Sequence, residues 1–433
     1  MYSLWMDDYN PKQQYTSLNG NIDTDTVIVG GGLAGILCAR FLKERGIDCV
    51  LLEAKRIGTG ITCNTTAKIT AQHGLVYSQI EGRYGLKAAK AYLEANLEAV
   101  ETYRKLSKDI SCDFEDKTAY VYSENNRKKL EDEAKLYRRM GIEPVFLEKA
   151  PIPVSTVGAL GMMRQAQFHP IKFLNHISSG LRIYENTFAT HIQQGKVITK
   201  TGDVNAKRII LATHYPMVNI KGLYFLKLYQ HRSYVLALSN APDPNGMYID
   251  EKENGLSFRT HNGYLLLGGG DHRTGKKGGG WAELRRVAKE IYPDSQEKYA
   301  WATQDCMTLD AMPYIGKLQG QNRELYVATG FNKWGMTGSM VSAKLLSELI
   351  SEGNSRYAAV FSPSRSIMHA QLLANIGQAT LGLISFGKRC THMGCALKWN
   401  PQERTWDCPC HGSRYDRKGN LIDNPAKKGI RIE

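Results

Sequence analysis

No segment of the 433-residue sequence is apolar without interruption over the ~18 residues that a membrane-spanning helix needs. The nearest approach, Leu372 to Phe386, is broken by Asn375, Gly377, Gln378, Thr380 and Gly382, so no transmembrane segment is expected. The first residues, MYSLWMDDYNPKQQ, carry acidic groups and lack the charged-then-apolar order of a secretory signal, which points to a cytoplasmic protein. Cysteine is scarce: nine residues, too unevenly spread for a disulfide scaffold. There is no internal repeat or low-complexity tract, which excludes a solenoid. Lys and Arg give a net charge of +14, but no nucleic-acid reader motif accompanies it, and nucleic acid is not an expected partner. What is present is the 42% hydrophobic and 23% charged content of a folded globular chain. At about 150 residues per domain the length suits two or three domains. Four of the nine cysteines crowd between Cys390 and Cys410, the first sign of chemistry.

Thr26 to Val29 reads as a short buried strand that runs into glycines, then into the helical LAGILCARFLKERG, then into a second strand from Asp48 to Glu53. Strand, glycine turn, helix and strand within about 30 residues make a βαβ unit of a parallel sheet. Gly30-x-Gly32-x-x-Gly35 falls at its turn: Gly30 bends the chain, Gly32 admits a pyrophosphate, and Gly35 lets helix and strand pack. Free N–H groups and the dipole at the helix start favour phosphate there. Glu53 ends the second strand, where it can accept hydrogen bonds from a ribose hydroxyl. A ligand-free strand-to-helix turn shares the glycines but not the acid, and the pattern leaves FAD and NAD both open. No second strand-glycine-helix motif is visible, which disfavours a separate nicotinamide site.

Further along, 85–108 and 125–140 are amphipathic helical stretches, and Lys207 to Thr213 returns to a buried strand. Tyr229 to Leu238 and Leu256 to Gly269 alternate as antiparallel strands do, Glu324 to Gly330 is a strand meeting glycine, and Met340 to Ile350 is helical. Residues 351–366 lose periodicity and mark a boundary before a separate tail.

The order of VIVGGGLAGILCARFLKERGIDCVLLEA, IILATHYP, GYLLLGGGDHRTG, MPYIGKL and LYVATGFNKWGMTGSMVSAKLL resembles the D-amino-acid oxidase and glycine oxidase superfamily over most of residues 24–350. The resemblance implies an α/β FAD-binding domain in three pieces, 1–75, 151–215 and 320–352. An interleaved mixed α+β substrate domain would occupy 76–150 and 216–319. It implies FAD, with Gly30, Gly32, Gly35 and Glu53 around the adenosine diphosphate and Gly330, Gly335, Met336 and Thr337 near the flavin. A small-molecule amine or amino acid would be the substrate, losing a hydride to the flavin. Arg259, Asp271, His272 and Lys333 are candidates for the substrate face, Arg259 as a carboxylate clamp and Lys333 as a stabiliser of flavin charge. Some relatives attach flavin through cysteine; the offset of Cys306 from Asp310 does not match, so noncovalent FAD and a core cysteine are expected.

Cys390-Thr-His392, fifteen residues, then Cys408-Pro-Cys410-His411 brings three cysteines and two histidines together in paired loops. Two thiolates on one iron and two imidazoles on the other make a Rieske [2Fe–2S] centre, and a tetrahedral zinc site is the competing reading. CTHMGC with CPCHGSRYD resembles the Rieske proteins of cytochrome bc and b6f complexes. That resemblance implies Cys390, His392, Cys408 and His411 as ligands, a Cys395–Cys410 disulfide, hydrogen bonds from Ser413 and Tyr415 to cluster sulfurs, and a covering loop at Pro425. The implied unit is a small all-β module over 387–433 behind a linker, 353–386. Residues 367–389 nevertheless show little of the strand pattern usual before the first ligand loop, only a helical or mixed segment.

A two-electron flavin joined to a one-electron cluster suggests a step-down relay. The expected activity is an amine or amino-acid dehydrogenase that passes electrons singly to an external acceptor, a protein or a quinone. The architecture resembles bacterial FAD-dependent oxidoreductases with a fused Rieske domain. Electron flow in reverse, from a reduced carrier to substrate, and a redox-sensing role are the alternatives.

Overall fold

A computed structural model describes residues 2–9, 14–193, 195–218, 222–318 and 324–432. The expected βαβ unit forms as Ile22–Val29, Leu33–Glu44 and Cys49–Leu52. Ile22–Val29 sits at the centre of an eight-stranded sheet because its last four residues are buried on both faces, as parallel strands require. Cys49–Leu52 pairs with it on one side and Asp203–Leu211 on the other, all parallel, with Glu324–Thr329 beyond and Tyr314–Lys317 antiparallel at the edge. The helices Leu33–Glu44 and Gly335–Glu352 pack into one apolar cluster through Ile36, Leu37, Met340 and Leu346.

The second sheet has nine strands and is mostly antiparallel. The long strands Leu228–Ser239, Tyr264–Arg273 and Gln296–Thr308 form one end, and Glu115–Ser123, Gly158–Gln167 and Lys68–Ile69 the other. The predicted helices appear as Val76–Leu106 and Arg127–Arg139; the first begins earlier than expected and bends at Gly85, whose φ of 80° is outside the helical range.

The segment boundaries read from the sequence do not all follow the sheets. Lys68–Ile69 and Gly158–Gln167, assigned to the FAD-binding domain, pair in the second sheet, and Tyr314–Lys317, assigned to the substrate domain, pairs in the first. The physical reason is that a strand joins the sheet whose edge its backbone reaches, whatever its neighbours in sequence do. The boundary set at residue 320 lies outside the described residues.

After residue 352 the chain forms the helix Ala370–Ile384 and a four-stranded sheet of Lys398–Asn400, Thr405–Asp407, Arg414–Tyr415 and Leu421–Asp423. A helix thus stands where preceding base strands would be. It is not long and apolar enough to cross a membrane, nor is any other helix among the described residues.

Candidate functional site

At the glycine turn each residue type is dictated by space. Gly30 has φ 114°, and a Cβ there would stand 2.5 Å from the Ala212 carbonyl oxygen; a Cβ on Gly35 would stand 1.9 Å from the carbonyl oxygen of Gly30. Glu53 follows the second strand with its carboxylate fixed from two sides, accepting from the Gly31 amide at 2.6 Å and the Lys55 amide at 2.8 Å. Burial raises its pKa, against the lowering effect of those two amides. Gly30, Gly32 and Glu53 line one end of a cavity of about 1070 Å³, which runs on to Trp334, Gly335 and Met336. That is ample for a dinucleotide with a small substrate beside it, since single-ligand pockets are commonly ~300–1000 Å³. Gly330 and Thr337 are not in its wall: Gly330, at φ 72°, abuts Thr308, and the Thr337 hydroxyl lies 3.0 Å from His73 Nε2.

Of the four substrate-face candidates, two face this cavity. Lys333 and Asp271 line it as an ion pair, Nζ to Oδ2 at 2.5 Å. Beside them lies Asp305, unremarked in the sequence, whose carboxyl is pushed up to about 6 by burial against the lowering effect of Lys333. Arg259 corrects the expectation of a carboxylate clamp. It is fully buried, outside the cavity wall, donating to the carbonyls of Thr66 at 2.6 Å and Ala67 at 3.0 Å. Its guanidinium lies over the Trp5 ring, and burial pushes its pKa down to about 9. His272 is likewise turned away, stacked on Tyr234 and facing a smaller neighbouring pocket.

Lys68, next to the segment Arg259 holds, also faces the cavity. Its ammonium donates to Thr66 Oγ1 at 3.1 Å and has no carboxylate partner among the described residues. Enclosure, with repulsion from Arg259 added, holds it down to about 7. The sequence signal was slight: a lone lysine in TTAKIT, on a two-residue strand. His73 also faces the cavity, stacked on Trp334 and kept neutral by burial. No cysteine lines the cavity among the described residues. Asp305 and Met307 face it, while Cys306 between them points into the opposite core with Tyr215 and Val327, as strand alternation requires.

In the tail the four expected ligands come together as two pairs. Cys390 and Cys408 are close enough to share a hydrogen bond, and the rings of His392 and His411 are 4.9 Å apart. Each imidazole buries an Nδ1 that meets no hydrogen-bond partner among the described residues. Two thiols on one side and two orphaned ring nitrogens on the other suit a two-iron cluster with split ligation better than one tetrahedral ion. Tyr415 Oη lies 3.2 Å from Cys390 Sγ, and Ser413 Oγ accepts from the Ala426 amide at 3.0 Å. The Cys395–Cys410 disulfide is not formed. All nine cysteines are free thiols, and Cys395, Cys408 and Cys410 hold their sulfurs within 4.8 Å of one another. Helix residue Gly382 leans on this trio, with room for no side chain beside Cys410 Sγ.

The tail is seated directly on the second sheet. Gln230 donates to the His411 carbonyl at 2.7 Å and Gln304 to that of Gly412 at 2.9 Å, while the two amides bond each other at 2.8 Å. Asn424 donates to the Thr213 carbonyl at 2.6 Å. Glu403 accepts from Arg232 and Tyr234 of the sheet and from Arg414 of the tail, so it is buried but fully answered. Tyr215, in the wall of the large cavity, has the rings of His392 and His411 at 6.1 and 6.5 Å.

Residues 25–349 match the family described as FAD dependent oxidoreductase. The chain belongs to that family. Residues 372–432 match the Rieske [2Fe-2S] domain, so the cofactors are FAD and a [2Fe–2S] cluster, and the cradle of glycines and the orphaned imidazole nitrogens fit them. The Rieske 2Fe-2S iron-sulfur protein YhfW of Bacillus subtilis (strain 168) is 34% identical, across 96% of this chain and 94% of its own length. Gamma-glutamylputrescine oxidoreductase of Escherichia coli (strain K12) is 25% identical, across 81% of this chain and 89% of its own. Among solved structures, glycine oxidase from Geobacillus kaustophilus superposes with a TM-score of 0.68 at 18% identity, over 79% of this chain and 99% of that one, which shows the shared fold.

Proposed function

We propose that this FAD-dependent oxidoreductase is a dehydrogenase of an amine or amino acid whose electrons leave singly, through the Rieske domain, to an external protein or quinone acceptor. When bound, FAD would supply hydride acceptance at the cavity and the [2Fe–2S] cluster a one-electron carrier. The residues in the wall suit such a substrate. Asp271, paired with Lys333, and Asp305, near both Lys333 and Arg232, put two carboxylates in the wall that an ammonium group can approach. Lys68 offers the positive charge that a carboxylate needs. Arg259 acts through another group: it pins the carbonyls of Thr66 and Ala67 and so fixes the segment that carries Lys68. The names of two similar proteins, gamma-glutamylputrescine oxidoreductase and glycine oxidase, support an amine-bearing substrate.

The observation that carries the relay is Tyr215, which borders the cavity and has both cluster histidines within 6.5 Å of its ring. Anaerobic mixing of the loaded protein with a panel of amines and amino acids tests the proposal. Flavin bleaching followed by cluster reduction is expected. Bleaching by a reduced carrier alone would reverse the direction of flow, and no response to either would leave a redox sensor.

A further inference from the structure

The Ala370–Ile384 helix touches the rest of the molecule along one narrow line. Asn375 and Gly382 are its buried residues, and the Gln378 carbonyl lies 3.7 Å from Cys410 Sγ. Positions 375, 378 and 382 make one helical stripe. The rest of the helix is apolar and open: Leu373, Ile376, Leu381, Leu383 and Ile384 are exposed, and Phe386 just beyond is 98% exposed. No other stretch of the described residues exposes large apolar side chains so densely. Isolated exposed leucines need no explanation, but a contiguous apolar face does.

Charge selects what covers it. Residues 353–402 contain no Asp or Glu. At the end of the helix stand Lys388, Arg389 and Lys398; the Arg389 guanidinium bonds the carbonyls of Leu383 at 2.9 Å and Gly394 at 3.1 Å rather than any carboxylate. A second copy of the chain, packed face to face, would set Arg389 and Lys398 against their own copies, and residues 353–402 supply no acid to offset them. An anionic lipid surface answers both the apolar face and the charge. We propose that this helix seats the protein on an anionic bilayer, lying in the interface with Leu383, Ile384 and Phe386 among the acyl chains and Arg389 at the headgroups. The site is independent of the reaction proposed above. Its inner stripe rests on the thiols of the tail, so the bilayer would meet the molecule at the Rieske domain.

The test is sedimentation of the full-length, cofactor-loaded protein with vesicles of phosphatidylcholine alone or of equal parts phosphatidylcholine and phosphatidylglycerol. The wild type should partition into the mixed vesicles at least ~10-fold more strongly than into the neutral ones. The triple variant Leu383→Glu, Ile384→Glu, Phe386→Glu, altered only at exposed positions, should lose at least ~10-fold of that binding while its flavin and cluster absorbance stay unchanged. Wild-type protein that remains in the supernatant, or a triple variant that binds as the wild type does, overturns the proposal. So does a lipid-free dimer in light scattering that the triple variant dissociates, because a second copy would then cover the face.

Discussion

His411 Nε2 lies 3.1 Å from the carbonyl oxygen of Phe225, so the distal edge of one expected cluster ligand is bonded into the oxidoreductase part of the chain rather than turned to solvent. Tyr215, which borders the large cavity, lies beside the same imidazole. Replacing Tyr215 with Leu should therefore slow cluster reduction after substrate mixing by at least ~10-fold while flavin bleaching keeps its rate, and Tyr215→Phe should restore most of it. Stopped-flow absorbance at flavin and cluster wavelengths distinguishes the two steps. Equal slowing of both would show a structural effect instead.

Glu403 ties the tail to the sheet through charge. The guanidiniums of Arg232 and Arg414 hold its carboxyl down to about 2, well under its ordinary value of 4.5, despite burial. A carboxylate whose folded pKa is depressed contributes its stability above the unfolded value and loses it as pH falls from about 4.5 toward 2. Glu403→Gln should destabilise the tail by roughly 3 kcal/mol at neutral pH, since two buried guanidiniums lose a shared anion, and the gap from wild type should narrow below about pH 4.5 and close only as pH falls through about 2. Thermal melts followed by cluster absorbance across that pH range measure both effects.

Lys68 should behave as the carboxylate anchor. Its ammonium, held down to about 7, carries charge below that pH and loses it above. The KM for carboxylate-bearing substrates should accordingly climb as pH rises through 7, and Lys68→Met should raise it by about 10-fold at pH 6 and flatten the profile. Amines without a carboxylate should show neither change. Steady-state kinetics on matched pairs of substrates settle it.

Flavin should come off without covalent cleavage. Cys306 is buried on the far face of its strand, with its thiol pushed up to about 12 by desolvation, and it does not reach the cavity wall. Acid precipitation should leave FAD in the supernatant at one equivalent per chain, and Cys306→Ser should retain it. A yellow pellet would contradict this.

Much of the fold was legible because periodicity reports it directly. The βαβ unit stood out in a run of Val, Ile and Leu, and the glycine turn declared itself through positions where a side chain has no room. The convergence of the four expected cluster ligands was legible because their spacing is local. Arg259 misled because its strand alternates in the expected way, yet its side chain is answered by carbonyls of Thr66 and Ala67, nearly two hundred residues earlier. Lys68 and Tyr215 were not read as site residues for the same reason in reverse: Lys68 sits in no motif, Tyr215 is an unremarked member of IILATHYP, and each matters only through what the tertiary fold brings beside it. The short strands Lys68–Ile69 and Tyr314–Lys317 joined sheets that sequence neighbours did not suggest, because edge pairing is decided by distant backbone.

The paired amides of Gln230 and Gln304 rise from strands that also wall the large cavity, and they hold the backbone of His411 and Gly412 on their other side. The tail is thus no interchangeable cassette. A different electron carrier grafted in its place would have to reproduce two specific carbonyl positions or leave a pair of interior amides unanswered, so any lineage that exchanged one carrier for another would have had to redraw the floor of its own catalytic chamber.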